Sequence, residues 1–538
     1  MFERVKLMVT IVVIVIFLFS VLNNILLFYP VYAQNNNNIA KLAITNGVAS
    51  GDVTDDSAVI WSRANTQAHM HVQYDTNLHF SHPKSITAIS VNQTTDFAGH
   101  VKLNSLSPNT IYYYRVWFTN FVNNNKESMT AAAEAAVLPI ANSMTGTFRT
   151  APDHLTSRPV SFIVGGDLGG QSYCRRMGEV GYPTFSIMQA LSPDFFLFNG
   201  DQIYGDDTCK VTGPSNVTGW YNIPGNFPSI TDNRISWTNE TQLQDVYNKH
   251  WEYNRADPHL QALLRNTSMY SQADDHEVAN DYGGKWSYWT SATKGREGFP
   301  NVVKAGINAF FNFSPIDRNN ENPNRIYRSF NWGKDLDLFI LDAHSYRSRT
   351  DVADTQSNNK TLLGEGQLRW LEQGLLNSKA TWKIISSDVP ITIPSCFNKE
   401  SGCDNWATIN STYKKNYVRE RSDLLKFLDD HNIKNIVFVT TDVHFPTNVV
   451  VHEDPNHDKH NLIFHEMVSG PISAIPLKAS LPDPTINATS LYRESKIFNF
   501  EYIKIQKEES DGKVHLVSKV IDENGLLRPG SELDLTPQ

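Results

Sequence analysis

The 538-residue chain has no excess of positive charge, few cysteines and no tandem repeat. Its formal net charge of −9 disfavours a general nucleic-acid-binding protein, because such proteins present a basic face. It does not exclude a small phosphate-bearing substrate, since bound metal ions can reverse the field of an acidic site. The composition, with 40% hydrophobic and 19% charged residues, is that of a globular protein long enough for several domains.

A long apolar stretch lies at the N-terminus. Two basic residues precede an apolar run from Leu7 to Leu22, and the segment ILLFYPVYAQ follows. Val31 and Ala33 fit a small-residue cleavage pattern, so residues 1–33 are predicted to be a signal peptide. The alternative is an uncleaved membrane anchor, because the whole apolar zone is long for a signal peptide. Both alternatives predict a secreted or cell-surface protein.

The four cysteines are even in number, which fits two disulfides in an oxidising compartment. Cys396 and Cys403 lie in the loop-like stretch SCFNKESGC and are predicted to form a local disulfide. That pairing leaves Cys174 with Cys209. The alternative is free buried thiols, which are less common outside the cytosol.

The pattern of the chain changes near residue 158. Residues 40–152 contain short strand-like runs bounded by turns, and LSPNTIYYYRVWF resembles the tyrosine corner of fibronectin type III domains. Residues 158–535 alternate apolar runs with helix-like stretches, which predicts an α/β domain with covered sheets. We therefore expect a small all-β sandwich, fibronectin-like or immunoglobulin-like, followed by an α/β domain.

The apolar runs of the second domain end in acidic and histidine residues. Sites of α/β folds lie beyond the carboxyl ends of strands, which is where these residues fall. Each segment alone also fits a solvated loop acid or a core histidine, but the set after successive strands predicts a metal site. The candidates are Asp167 in IVGGD, Asp201 and Tyr204 in NGDQIY, Asp274, Asp275 and His276 in ADDHE, Asp388 in ISSD, and Asp442 and His444 in TTDVH.

The order of these motifs resembles that of the binuclear metallophosphoesterase superfamily, and within it the PhoD-like alkaline phosphatases. The segments NGDQIYGDD, ADDHEVANDYGG, LDAHSYRS, TTDVHF and EMVSGPISA are similar to successive blocks of the family's catalytic domain. The segment VASGDVTDDSAVIWSR is similar to the signature of its N-terminal domain. The resemblance implies a four-layer αββα sandwich for residues 158–535.

The resemblance also implies roles for the candidates. The aspartate at the position of Asp201 bridges two metal ions, and the tyrosine at the position of Tyr204 binds the harder ion, usually Fe(III). A second site rich in oxygen suits a hard cation such as Ca(II), with Zn, Mn and Mg as alternatives. The other implied ligands are Asp167 and His444 for the first ion and Asp275, Asp442 and the further candidate Asp388 for the second.

The activity implied by the resemblance is that of a secreted alkaline phosphatase or phosphodiesterase acting on organic phosphate esters. A hydroxide held between the two ions would be the nucleophile. His276 would donate a proton or a hydrogen bond to the leaving group. Arg347, in HSYRS, is a candidate for contacting the phosphate, with a solvated surface position as the alternative.

Two departures from related enzymes bear on the metals. PhoD-like enzymes often carry a cysteine near the first ligand position, where this chain has Asp167. Cys174, seven residues later, is then either a disulfide partner or a ligand. Purple acid phosphatases have a histidine in place of Asp442 and an asparagine in place of Asp275. Two acids at those positions favour a harder or more highly charged second ion.

Two further functions are compatible with the same motifs. One is a phosphodiesterase specific for phospholipid or wall-polymer phosphodiesters, since the metal core is common to both activities and the pocket walls select the substrate. The other is a non-catalytic cell-surface adhesion protein, anchored if the signal is not cleaved. An adhesion domain, however, has no need of His276 beside Asp275.

Overall fold

The computed structural model describes residues 41–120, 143–283, 298–396, 402–456 and 462–538. The predicted signal peptide, residues 1–33, lies outside these described residues. Within the described ranges, no helix combines the length and the apolar character needed to cross a membrane. The chain from Leu42 to Gln538 forms one unit by its internal contacts.

The elements of the described part are numbered here in chain order. The strands are β1 (Ile44–Gly51), β2 (Ala58–Ala64), β3 (Ala68–Asp75), β4 (Lys84–Val91), β5 (Ala98–Leu103), β6 (Ile111–Asn120), β7 (Met144–Arg149), β8 (Val160–Gly165), β9 (Phe195–Asn199), β10 (Ser268–Gln272), β11 (Arg328–Trp332), β12 (Leu336–Ile340), β13 (Trp382–Ser386), β14 (Ile436–Thr440), β15 (Thr447–Glu453), β16 (Leu462–Val468), β17 (Ala488–Arg493), β18 (Asn499–Lys507), β19 (Val514–Asp522) and β20 (Leu533–Leu535). The α-helices are α1 (Thr184–Ala190), α2 (Glu240–Arg255), α3 (Pro258–Asn266), α4 (Phe299–Phe313), α5 (Gly364–Asn377) and α6 (Val418–Asp430).

The first seven strands build a two-layer sandwich. One layer is the four-stranded sheet β4-β3-β6-β7, and the other consists of β1, β2 and β5. Tyr112, Tyr114 and Val116 alternate along β6 and are buried in the core between the layers. The hydroxyl of Tyr112 accepts a hydrogen bond from the backbone N–H of Ser107 at 2.9 Å. This is the bond expected of a tyrosine corner.

Two larger sheets, one of which includes β1, β2 and β5 of the sandwich, pack face to face. The nine-stranded sheet has the order β20-β19-β18-β8-β9-β10-β1-β2-β5, and the seven-stranded sheet has the order β11-β12-β13-β14-β16-β15-β17. Phe162 and Leu197 of the first sheet share one apolar core with Leu338, Ile384 and Val439 of the second. Strands β8, β9 and β10 are parallel, as are β12, β13, β14 and β16. Their nearly continuous apolar sequences follow from burial on both faces.

Helices cover the outer faces of both sheets. Leu243 of α2 and Phe310 of α4 pack with Phe196 on the outer face of the nine-stranded sheet. Leu371 of α5 and Leu424 of α6 pack against the outer face of the seven-stranded sheet. The layer order is therefore helix, sheet, sheet, helix, which confirms the predicted αββα architecture.

Local sequence signals set the start of the helices that cover the nine-stranded sheet. The side chain of Asn239 accepts a hydrogen bond from the N–H of Gln242 at the start of α2. Asp257 accepts hydrogen bonds from two N–H groups of the first turn of α3, and Pro258 occupies the first helical position. Both features are typical N-terminal caps, since they satisfy N–H groups that have no partner within the helix.

The sandwich and the α/β layers share one sheet. Strand β1 pairs in parallel with β10 at Gly51 and Met269, so β1, β2 and β5 extend the nine-stranded sheet. The carboxylate of Asp52, just after β1, accepts hydrogen bonds of 2.8 to 3.1 Å from the guanidinium of Arg328. The predicted division into domains at residues 40–152 and 158–535 stays a prediction, although it falls between β7 and β8.

Candidate metal centre

Four of the predicted ligands stand on sharp turns directly after strands. Asp167 follows β8, Asp201 follows β9, and Asp442 and His444 follow β14. All four have a positive φ, of 53°, 48°, 72° and 58° respectively. Residues other than glycine seldom adopt this left-handed conformation, and it occurs preferentially at functional sites. The turns bring side chains from both sheets to the same edge.

The first cluster consists of Asp167, Asp201 and His444. One ligand atom from each lies within 4.8 Å of the others. The phenol of Tyr204 lies 3.3 Å from Nε2 of His444, and Oδ1 of Asp167 lies 3.9 Å from the same nitrogen. Nδ1 of His444 donates to the carbonyl of Ile475 at 2.7 Å. This bond fixes the proton on Nδ1, so the lone pair of Nε2 faces the cluster.

The second cluster consists of Asp201, Asp275 and His276, so Asp201 belongs to both clusters. Oδ1 of Asp201 accepts a hydrogen bond from the backbone N–H of His276 at 3.1 Å. Asp442, expected at the second ion, is a member of neither cluster; its backbone N–H donates to Oδ1 of Asp167 in the first cluster at 3.3 Å. A carboxylate shared between two clusters has the position of a bridging ligand.

Buried carboxylate oxygens without partners show that these residues fit a metal site. Oδ2 of Asp167, Asp274 and Asp442 is enclosed and has no hydrogen-bond partner in the described part of the chain. Burial raises the pKa of Asp167 to about 8 and raises the pKa of Asp201 and Asp442 well above the ordinary value, with neighbouring aspartates adding to the shift. Multivalent cations would supply the missing partners and reverse the local field.

His276 is held by a carboxylate that sequence reasoning did not single out as functional. Its Nδ1 lies 2.6 Å from Oδ1 of Asp206, whose other oxygen accepts the N–H of Asn280 at 3.2 Å. Burial lowers the pKa of His276, but Asp206 and the carboxylates of both clusters outweigh burial and raise this pKa well above its usual value. The sequence signal that could have identified Asp206 is its place in the acidic pair Asp206–Asp207, which ends the segment NGDQIYGDD.

Glu277 is a second residue that the motif analysis missed. Its side chain is fully buried and accepts hydrogen bonds from the backbone N–H groups of Asp201 at 3.1 Å, Gln202 at 2.6 Å and Asp274 at 2.8 Å. These N–H groups belong to the loops that follow β9 and β10. Glu277 therefore connects the loop that carries Asp201 to the loop that carries Asp275 and His276.

Asp388 lies in a different cluster from the other predicted ligands. Its carboxylate accepts the N–H of Ala343 at 3.1 and 3.2 Å and lies 3.6 Å from Nε2 of His344. The same nitrogen lies 2.8 Å from Oδ1 of Asp274. The structure thus groups Asp388 with Asp274 and His344, a histidine that sequence reasoning did not select.

Arg347 is fully enclosed, so the alternative of a solvated surface position is wrong. Its side chain is 0% exposed and donates to the carbonyl of Asp404 at 2.9 Å and to the carboxylate of the same residue. Asp404 in turn forms a cluster with Asp275 and Asp281. Nε and Nη2 of Arg347 have no hydrogen-bond partner among the described residues. A phosphate contact by these atoms stays a prediction.

Both predicted disulfides are present, between Cys174 and Cys209 and between Cys396 and Cys403. The alternative of free thiols is therefore wrong, and so is a metal-ligand role for Cys174, whose sulfur is oxidised. The Cys174–Cys209 bond joins the loop after β8 to the loop after β9. It therefore connects the two segments that begin with Asp167 and Asp201.

Family models match most of the chain. A model described as "PhoD-like phosphatase" matches residues 168–517, and one described as "PhoD-like phosphatase, N-terminal domain" matches residues 31–152. Among curated proteins, the chain is 25% identical over 437 residues to alkaline phosphatase D of Bacillus subtilis (strain 168). The match covers 76% of this chain and 65% of the length of that relative.

Two solved structures have a similar fold. A structure of PhoD superposes with a TM-score of 0.65 at 20% identity and covers 94% of both chains. Purple acid phosphatase PPD1 from seeds of yellow lupin (Lupinus luteus) superposes with a TM-score of 0.55 at 14% identity, covering 92% of this chain and 74% of the other. At these identities the superpositions establish the fold alone.

Proposed function

This chain belongs to the PhoD-like phosphatase family, and from that premise we propose that it is a metal-dependent hydrolase of organic phosphate esters. One observation carries the proposal. Two clusters of buried ligand atoms share Asp201 at the carboxyl edge of the strands, and Oδ2 of Asp167 in the first cluster and Oδ2 of the neighbouring Asp442 have no hydrogen-bond partner among the described residues. Shared carboxylates of this kind suit a pair of metal ions.

The proposed ions are Fe(III) in the first cluster and Ca(II) in the second, with Zn, Mn and Mg as alternatives. The first cluster offers the imidazole of His444 and two carboxylates beside the phenol of Tyr204. The second cluster also has two carboxylates, and with His276 reserved as the proton donor its ligand atoms are carboxylate oxygens alone. Oxygen ligands suit hard cations such as Ca(II). Bound there, the ions would lower the pKa of a water molecule and polarise the phosphoryl group.

The chain's own residues would orient the substrate and deliver the proton. His276 stands at the second cluster with Asp206 on its Nδ1, so Nε2 faces Asp275 at 3.9 Å. The raised pKa favours the protonated ring, which is the form a general acid needs at the leaving-group oxygen. Asp206 keeps that ring in one orientation, and Glu277 holds the two ligand loops together.

The proposal extends to a location outside the cytoplasm. Two disulfides persist more readily in an oxidising compartment than in the cytosol. The apolar N-terminal segment supports the same location by its sequence. Small phosphate esters are the proposed substrates, and phosphodiesters of phospholipids or wall polymers are the alternative class.

The test combines metal analysis with a substrate panel. We expect the purified protein to contain at least two metal ions per chain and to hydrolyse monoesters or diesters of phosphoric acid. Asp201→Asn should remove most of the metal and the activity, because it weakens the shared ligand. Asp207→Asn is the matched control, since Asp207 lies in the same loop outside both clusters. Protein that binds no metal, and gains no activity with added iron or calcium, would contradict the proposal.

A further inference from the structure

A separate cleft of about 610 Å³ lies at the amino ends of the parallel strands of the nine-stranded sheet. Its lining includes Val160 at the start of β8, Asp194 just before β9 and Thr267 just before β10. The candidate metal centre lies beyond the opposite, carboxyl ends of the same strands. The end of β7 supplies another wall, so the cleft lies where the sandwich meets the α/β layers.

The cleft is lined by more cationic than anionic side chains. Arg149, Arg158 and Lys504 line it together with a single carboxylate, Asp194. Oδ1 of Asp194 lies 2.9 Å from Nη2 of Arg158 and 3.8 Å from Nε of Arg149. Its Oδ2 accepts the backbone N–H of Ser161 at 3.0 Å. One carboxylate shared by two guanidinium groups leaves an excess of positive charge on the wall.

Arg158, which lines the cleft, also has a buried donor without a partner. Nη1 of Arg158 is buried and makes no hydrogen bond within the described residues. Burial and the charge of Arg158 lower the pKa of Arg149, and Asp194 offsets part of this effect. An anion beside both guanidinium groups would offset their mutual repulsion.

Apolar groups stand beside these charges. Ile111, a large hydrophobic residue 40% exposed, lines the cleft with Phe148, Pro159 and Pro193. An apolar wall makes no hydrogen bonds to an inorganic ion, but it can pack against the carbon atoms of an organic anion. The ligand chemistry that matches both walls is an oxyanion attached to a small apolar group.

We propose that this cleft is a binding site for a phosphate-type oxyanion, carried by a small organic molecule and separate from the metal centre. Tetrahedral phosphate offers several acceptor oxygens and up to two negative charges, so it can accept hydrogen bonds from more than one of the cationic side chains that line the cleft. Guanidinium groups match such acceptors in planar, two-pronged geometry.

The test measures binding rather than catalysis. Phenylphosphonate, which has no ester bond to hydrolyse, and inorganic phosphate are titrated calorimetrically into the metal-loaded full-length protein. Arg149→Gln and Lys504→Gln are compared with wild type, and Arg158 is retained because it supports Asp194. Arg369→Gln on α5 is the matched control, since that exposed arginine lies outside the cleft and its loss changes the net charge equally.

The expected result is a binding event for phenylphosphonate that each cleft variant weakens at least tenfold and that the control variant leaves unchanged. Hydrolysis of nitrophenyl phosphate should stay within twofold of wild type in all three variants. Tighter binding of phenylphosphonate than of inorganic phosphate would support the organic part of the ligand, and equal binding of the two anions would overturn that part of the proposal. Unchanged binding of both anions in two folded cleft variants would overturn the proposal.

Discussion

The protonation of His276 depends on neighbours that come from separate parts of the chain. Asp206 lies 2.6 Å from its Nδ1, and Asp275 and Asp201 lie on its other side. The ring is buried, which alone would favour the neutral form, yet the surrounding carboxylates favour the charged form. The protonated ring is the form that the proposed general-acid role requires.

We predict that His276→Ala lowers kcat by roughly 10²–10⁴-fold, the usual contribution of a general acid. Metal content should stay at the wild-type value, because the ring lies beside the ions in the proposed arrangement. Esters of nitrophenol should lose less activity than alkyl esters, since nitrophenol leaves without protonation. Steady-state kinetics on both ester types are the measurement, and activity within a few-fold of wild type on alkyl esters would exclude the role.

Tyr204 gives a spectroscopic test of the first ion. Burial and the carboxylates of Asp201 and Asp167 raise the pKa of this phenol well above its usual value, so only a strong Lewis acid would deprotonate it. We predict a visible charge-transfer band in the purified protein, and its loss in Tyr204→Phe together with weaker iron retention. If the phenol is only a hydrogen-bonding group, Tyr204→Phe should cost about 1 kcal/mol and leave colour and activity unchanged.

At the scale of loops and strands, Glu277 connects the two loops that carry Asp201 and Asp275. Its carboxylate accepts three backbone N–H groups from the loops after β9 and β10. We predict that Glu277→Gln destabilises the protein by about 1–3 kcal/mol, because an amide N–H₂ then faces N–H donors. Thermal unfolding and metal content measure the effect, and Glu321→Gln on an exposed loop is the control. A change no larger than in the control would refute the proposed clamp.

The Cys174–Cys209 disulfide connects the loops after β8 and β9 and closes a segment with a sequence separation of 35. We predict that replacing both cysteines by serine lowers the free energy of unfolding by about 3–4 kcal/mol, on the chain-entropy model. Denaturant unfolding of the two forms is the measurement. A loss below about 1 kcal/mol would show that structure remaining in the unfolded chain already restrains these loops.

The sequence predicts the elements of the site better than the contacts between them. Apolar runs that end in Asp167, Asp201 and Asp442 are local signals, and parallel strands bring such residues to one edge. The role of Glu277 depends on which N–H groups two loops present, and no pattern of residue types encodes that. The burial of Arg347 depends on Asp404, a partner 57 positions away. The pairing of β1 with β10 joins residues that are far apart in the sequence, so local sequence patterns do not predict it either.

At the scale of the whole molecule, Asp52 and Arg328 form a buried ion pair between the sandwich and the α/β layers. Burial raises the pKa of Asp52, whereas Arg328 lowers it, so the carboxylate relies on its partner. We predict that Arg328→Met destabilises the protein by about 3–5 kcal/mol, the usual cost of leaving one buried charge alone. The double variant with Asp52→Asn should recover part of that loss in denaturant unfolding, and equal stabilities of the single and double variants would exclude the pairing effect.

The continuity of the nine-stranded sheet also bears on how such a protein can evolve. Because β1 lies beside β10, the sandwich is not an interchangeable module that recombination can replace without cost. A chimera with a foreign sandwich would leave β10 as an edge strand with unsatisfied backbone groups, immediately before the loop of Asp275 and His276. Any replacement sandwich would therefore have to rebuild the pairing of Gly51 with Met269.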